Sequence, residues 1–265
     1  MATHPPSPAE HMPFLTIGPG RLEYERIDAG RTNSPTIVML HEGLGSISLW
    51  KDFPEQLARA TCSNVVVYSR HGYGKSAPVK ESRAVSYMHH EALIVLPQLL
   101  DALKIETPIL FGHSDGGSIA LIHAGGSGRS LGGVIALAPH VFVEDLSVRN
   151  IAAAKTAYET TNLREKLARH HDDVDGVFWG WNDIWLTPAF RQWNIEEYLP
   201  RIACPILAIQ GHEDEFGTME QISRIEHGAP RVEALGLADC RHSPHRDQPQ
   251  RVLEAVGRWL STVTL

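Results

Sequence analysis

Residues Gly112, His113, Ser114, Asp115, Gly116 and Gly117 follow a short apolar run, Pro108 to Phe111, and precede a stretch of helical period, Ser118 to Ala124. This is Gly-x-Ser-x-Gly on a strand, a tight turn and a helix, the setting in which a serine is presented as a nucleophile. The glycines have a steric reason: a serine on a strained turn needs neighbours without Cβ, so that the strand and helix backbones can approach. Ser114 is therefore the candidate nucleophile. A serine hydroxyl at its ordinary pKa attacks poorly, so it requires a base and a group that orients that base. In proteins with this turn the acid comes next along the chain and the histidine last, each just after a later strand. Asp214 directly follows the apolar run Pro205 to Gln210, with Glu213 and Glu215 as rivals. His242 lies just beyond the run Val232 to Leu237, with His245 as its rival.

Acyl transfer also needs donors aimed at the developing oxyanion, each worth ~10²–10³ in rate. The backbone N–H of Asp115 is the first candidate. The second comes from the loop after Thr36 to Leu40, which reads His41, Glu42, Gly43, Leu44, Gly45, Ser46.

The elements that must position these groups are legible in the hydrophobic pattern. Phe14 to Ile17 and Leu22 to Ile27 read as an opening hairpin around Gly18, Pro19 and Gly20. Thr36 to Leu40, Asn64 to Tyr68, Pro108 to Phe111, Val134 to Leu137 and Pro205 to Ile209 are nearly continuous apolar runs, as strands buried on both faces require. Leu49 to Ala60, Val85 to Leu103, Glu220 to Glu226 and Gln248 to Leu260 have the helical period, and Val232 to Leu237 reads as the final strand. Strands alternating with helices predict a parallel α/β sheet. From about His140 to Pro200 the alternation fails. That stretch is helical and polar, and it concentrates Phe178, Trp179, Trp181, Trp185, Phe190, Trp193 and Tyr198. It predicts a helical cap at residues 140–200 set into a core of residues 1–139 and 201–265. Trp179, Trp181 and Trp185, with Glu42 and Leu44, are candidates for lining a pocket beneath it.

With these residues in place the sequence resembles the α/β-hydrolase superfamily, in its cap-bearing esterase and lactonase branch. The resemblance runs from about Phe14 to Leu260. It rests on the loop at His41, on Arg70, His71, Gly72, Tyr73, Gly74, Lys75 and Ser76, on the serine turn, on the acid after a late strand, and on His242. It implies an eight-stranded, mostly parallel sheet with a helical cap after the sixth strand. It also implies nucleophile, acid and base roles for Ser114, Asp214 and His242. Two positions depart from the family pattern. Glu42 stands where glycine usually follows the histidine, so either Gly43 or Glu42 supplies the second oxyanion donor, with Gly43 preferred. A carboxylate aimed into that hole would oppose the developing charge, so Glu42 should point away or bind a neighbour. Arg241 precedes His242 where glycine is common, which bears on the conformation of that loop.

The 265 residues are 43% hydrophobic and 21% charged, with net charge −7 and 15 histidines, an ordinary globular composition that excludes collagen-like, coiled-coil and strongly disordered classes. The three cysteines, Cys62, Cys204 and Cys240, suggest neither a disulfide framework nor a zinc site and fit a reducing cytoplasm. The polar, proline-rich Met1 to Glu10 is unlike a secretory signal, and no run is long and apolar enough for a membrane span. The acidic balance argues against nucleic acid and membrane as partners. Gly74, Lys75 and Ser76 end like a phosphate loop, but Ser69 stands where its first glycine belongs. His41 and Glu42 begin like a zinc-protease helix that Gly45 breaks. His170, His171, Asp172 and Asp173 read as a solvated face, and His41 and His113 as residues shaping the site's loops. No metal or cofactor is expected.

The expectation is a serine hydrolase of a small to medium carboxylic ester or lactone, monomeric or homodimeric. Hydrolysis of a C–C bond in ring-cleavage products, a thioesterase or an acyltransferase would use the same three residues. A ligand receptor that has lost turnover is the remaining alternative.

Overall fold

The structure, a computed structural model, describes residues 13–18, 20–31 and 34–263. The tail Met1 to Glu10 and Pro19 of the opening turn lie outside them. Eight strands form one sheet: β1 (Phe14–Ile17), β2 (Gly20–Ile27), β3 (Thr36–Leu40), β4 (Asn64–Tyr68), β5 (Ile109–His113), β6 (Gly133–Leu137), β7 (Ile206–Gly211) and β8 (Val232–Leu237). Their spatial order is β1-β2-β4-β3-β5-β6-β7-β8. β1, β2 and β4 pair antiparallel, and all remaining pairs are parallel.

The continuous apolar runs exist because both faces of the sheet are covered. Val38, Leu40, Val66, Leu110, Val134 and Ala136 point to one side and join a core with α2 (Tyr87–His90), α3 (Leu96–Ala102) and α4 (Asp115–Gly126). Ile37, Met39, Val65, Phe111, Ile135 and Leu207 point to the other, against α1 (Phe53–Thr61) and, at the chain's end, α10 (Pro249–Thr262). Successive residues of one strand thus enter opposite cores.

Two helices depart from the sequence reading, both near proline. The period over Leu49 to Ala60 splits into a 3₁₀ turn, Ile47–Trp50, and α1, whose first turn carries Pro54. Within Val85 to Leu103 a π-helical turn, Glu91–Val95, joins α2 to α3, and Pro97, which has no N–H to give that turn, follows two residues after it. β5 runs two residues past Phe111, because Gly112 pairs with Leu40 and Ala136, and His113 with Leu137.

Between β6 and β7 the chain forms α5 (Asp145–Thr160), α6 (Leu163–Leu167) and α7 (Val174–Leu186), then 3₁₀ turns at Phe190–Gln192 and Glu196–Arg201. The two ends of this stretch are fastened together. Phe142 and Asn194 form a β-bridge, and Ile195 N–H donates to the Val141 carbonyl at 2.8 Å. Beyond β7 lie α8 (Glu220–Gly228), β8, and a short α9 (Pro244–Asp247) before α10. No helix among the described residues is long and apolar enough to cross a membrane.

Candidate active site

Ser114 occupies the turn between β5 and α4 with φ 53° and ψ −118°, a conformation that costs a non-glycine residue ~1–3 kcal/mol and persists only where packing over-determines it. The packing is explicit. A Cβ on Gly112 would stand 2.2 Å from the Gly116 carbonyl oxygen, and one on Gly116 would stand 2.0 Å from that of Leu40. The two glycines therefore let α4 start directly against β3 and β5, and the serine side chain is pushed out at the carboxyl end of the sheet. In such sheets ligands bind at this end.

Three side chains from three strand ends meet there. Ser114 Oγ lies 3.0 Å from His242 Nε2, and His242 Nδ1 lies 2.8 and 2.9 Å from the two carboxylate oxygens of Asp214. A carboxylate only accepts, so Nδ1 carries the proton and Nε2 is free to accept from the serine hydroxyl. Asp214 is further held by the N–H groups of Phe216 at 2.8 Å and Gly217 at 3.2 Å. Burial opposes ionisation of Asp214, but the His242 charge, its hydrogen bond and the Phe216 N–H prevail and hold the carboxyl below its usual range. Burial likewise opposes protonation of His242. The Asp214 charge and hydrogen bond, then Glu215 and Glu42, outweigh it and raise its pKa.

The rivals stand elsewhere. Glu213 accepts from Cys240 N–H at 2.9 Å, and Glu215 pairs with Arg241 at 3.0 Å while accepting from His242 N–H at 3.2 Å. His245 is buried against Trp50, Phe53 and His113, in the core on the far side of the strand ends. Burial there drives its pKa well below the ordinary value. Arg241 needs no glycine geometry, since the left-handed residue of that loop is Asp239, with φ 54°.

The loop after β3 is pinned by one carbonyl. The Glu42 oxygen accepts from His41 Nδ1 at 2.7 Å, Arg70 Nη2 at 2.8 Å and Gly45 N–H at 3.1 Å. In a trans peptide the C=O and the following N–H point opposite ways, so the Gly43 N–H is directed away from that cluster. Gly43 and Asp115 both line the cavity over Ser114. His41 is fixed by accepting Arg70 N–H at 3.1 Å, and burial together with the Arg70 charge keeps its pKa well below the usual value. The Asp115 side chain turns inward: Tyr87 Oη donates to it at 2.6 Å, and Trp185 Nε1 donates to Tyr87 at 3.1 Å.

The cavity measures about 240 Å³, below the ~300–1,000 Å³ of sites for drug-sized ligands. Its walls include Leu44, Ile151, Leu167, Trp181, Trp185 and Phe216, with Glu42, His140 and Arg246 as polar groups. Trp179 is not among them. It packs edge-on against Tyr158 and Phe178 beneath Lys155. Trp179 and Trp181 are two residues apart on α7, roughly 200° around the helix, whereas Trp181 and Trp185 share one face four residues apart.

His140, Phe216 and Arg246 escaped the sequence reading. His140 and Phe216 sit just past β6 and β7, where position relative to a strand end is an available signal. Arg246 enters the cavity because α9 turns it back one helical turn after His242, and four residues give no such hint. His171 accepts from Gly74 N–H and donates to the Leu44 carbonyl, both at 3.0 Å, and His170 meets Ser48 at 2.9 Å. These histidines tie the helical stretch to the loops below it. Among the described residues no three His, Cys, Asp or Glu side chains cluster as a metal site.

A mostly parallel eight-stranded sheet with a serine turn at its carboxyl end defines an α/β-hydrolase. The chain belongs to the alpha/beta hydrolase family, whose model matches residues 37–255. It is similar to a proline iminopeptidase of Lactobacillus crispatus (strain ST1), 22% identical over 94% of this chain and 96% of that one. Among solved structures it resembles VinJ, with TM-score 0.76 and 22% identity over 97% of this chain and all of that one. It also resembles the enol-lactonase from Burkholderia xenovorans LB400, with TM-score 0.75 and 19% identity over 94% of this chain and all of that one. These likenesses concern the fold.

Proposed function

We propose that the protein is a serine hydrolase that cleaves a small carboxylic ester or lactone through an acyl-enzyme, in a mechanism that draws on no metal or cofactor. The observation that carries this reading is the hydrogen-bonded line from Ser114 Oγ through His242 to Asp214, at 3.0 and 2.8 Å. Ser114 Oγ attacks the carbonyl carbon while His242 Nε2 takes its proton. Asp214 holds the imidazole and stabilises the imidazolium. The N–H groups of Asp115 and Gly43 receive the oxyanion. His242 then gives the proton to the departing alkoxide, or to the ring oxygen of a lactone, and activates a water that releases the acid.

The stretch 140–200 acts as a lid in this reading. Trp181 and Trp185 roof the cavity, and its size and apolar walls favour a compact acyl or alcohol part of aliphatic or aromatic character. The likenesses to an enol-lactonase and to a proline iminopeptidase make a lactone and an amide the comparisons to run. The test uses short-chain p-nitrophenyl esters, small lactones and proline p-nitroanilide, with wild type and Ser114→Ala. Ester or lactone hydrolysis that falls by several orders of magnitude in the variant is expected. Equal rates in the two proteins would remove Ser114 from the mechanism, and turnover confined to the anilide would replace the ester reading.

A further inference from the structure

The carboxylate of Glu42, one residue from the Gly43 N–H, is an anomaly beside a site where negative charge develops. The structure shows where it goes. Glu42 Oε1 accepts from Arg246 Nη2 at 3.3 Å, and Oε2 lies 3.5 Å from His113 Nδ1. Both partners belong to the segments that carry the reacting groups. His113 is the last residue of β5, immediately before Ser114. Arg246 is on α9, four residues after His242, and also donates to the Leu49 carbonyl at 3.1 Å. The opposite nitrogen of the His113 ring, Nε2, donates to the backbone carbonyl of His242 at 2.7 Å. The carboxylate therefore borders the histidine loop on two sides: it accepts from the Arg246 guanidinium, and it lies against the His113 ring that holds the His242 carbonyl.

We propose that Glu42 is a positioning residue for His242: it latches the oxyanion-side loop to the histidine loop and adds a negative charge that favours the protonated imidazole. The assignment rests on the serine-hydrolase reading above and extends it to a residue that does not touch the reacting atoms. The Glu42–Arg246 pair is a charge-assisted contact whose side chains are 18% and 37% exposed, so solvent screens it only in part. Burial disfavours the ionised Glu42, yet the contact with His113 and the charge of the Arg246 guanidinium hold its carboxyl well below the ordinary range.

The groups that face His242 are Asp214, Glu215, Glu42, His113, His140 and His245, and those that face Glu42 are His113, His245, Arg246, His41, Asp115 and His171. Glu42→Gln removes one negative charge from the first set while keeping side-chain size. The same latch explains how a carboxylate is compatible with an oxyanion hole: its charge is engaged by Arg246.

The experiment is the pH dependence of kcat/KM for Glu42→Gln on an ester turned over by the wild type, beside labelling of Ser114 by a fluorophosphonate. The acid limb should move down by about half a pH unit, and kcat should fall roughly tenfold from a misplaced base with KM little changed. Arg246→Met should also lower kcat, and the double variant should lose less than the product of the two single losses. Should Glu42→Gln fail to fold, Arg246→Met and the labelling rate of its Ser114 carry the test alone. An acid limb and kcat identical to wild type in a folded Glu42→Gln protein, with Ser114 labelled in both, would overturn the latch and leave the hydrolase reading standing. Absence of labelling in wild type would overturn that reading itself.

Discussion

The indole of Trp181 fills the space that a side chain on Gly43 would occupy: a Cβ there would stand 2.2 Å from Nε1 and 2.4 Å from Cδ1. The loop of Gly43 and helix α7, which both line the cavity, are thus in contact at one atom's width, and a glycine is required for reasons of space. Gly43→Ala should displace either the loop or the tryptophan. A fall in kcat of about 10²-fold is expected from a misplacement of that size, with an altered tryptophan emission spectrum. Unchanged kcat in the alanine variant would show that Gly43 does not help to shape the oxyanion site.

The two faces of α7 make a paired prediction. Trp181→Ala should raise KM roughly tenfold, as removing an apolar wall contact does, whereas Trp179→Ala should leave KM for the same ester within about twofold and lower only thermal stability. Steady-state kinetics and a melting curve for each variant decide it. A large KM effect at Trp179 would mean that the substrate extends beyond the cavity.

The pH profile follows from His242. In the proposed mechanism it must be neutral to accept the Ser114 proton, and Asp214, Glu215 and Glu42 raise its pKa. The rate should therefore climb with pH through a limb placed above the ~6.5 of an unperturbed histidine. A kcat/KM profile already flat at pH 6 would contradict this electrostatic arrangement.

Asp214→Asn tests the same pair from the other side. The amide is expected to hold the imidazole in the wrong tautomer, and a loss of up to ~10⁴ in kcat follows. The acid limb should move downward as well, since the largest influence raising the His242 pKa is gone. Asp214 contributes stability only above the pH at which it ionises in the unfolded chain, and loses it as pH falls through its depressed native value. The variant should therefore unfold less steeply in acid, as followed by circular dichroism.

Three buried histidines also cost stability in acid, over a higher pH range than Asp214. Burial lowers the pKa of His41, His245 and His140, the last to about 3, so each stays neutral in the folded protein well below the pH at which the unfolded chain protonates it. The unfolded state binds more protons below pH ~6.5, and stability should fall as pH drops, by about 1.4 kcal/mol per pH unit for each such histidine. Urea unfolding of wild type and His140→Phe between pH 7 and 5 measures this. The slope for the variant should be smaller by one histidine, and identical slopes would mean that His140 titrates normally.

Much of the fold and part of the site were legible along the chain because they depend on local rules. Apolar runs such as Thr36 to Leu40 and Val134 to Leu137 announced strands covered on both faces, and the glycines around Ser114 announced a turn too crowded for side chains. The order of Ser114, Asp214 and His242 followed from the strands that precede them. Spacing did not separate Asp214 from Glu213 and Glu215, or His242 from His245. Neighbours in sequence differ only in which way a loop turns them, and that is settled by contacts such as Phe216 N–H with Asp214 and the packing of His245 on Trp50.

Periodicity, glycine and chain order are properties of short segments, and so the sheet, the serine turn and the candidates Ser114, Asp214 and His242 could be read from the chain alone. Only the folded chain shows that Trp181 faces the cavity and Trp179 does not, that His140 and Arg246 line it, and that Glu42 meets Arg246. Those outcomes depend on the rotation of a helix about its axis and on the meeting of loops far apart in the chain, and the free energy of such contacts exists only once the backbone has brought them together.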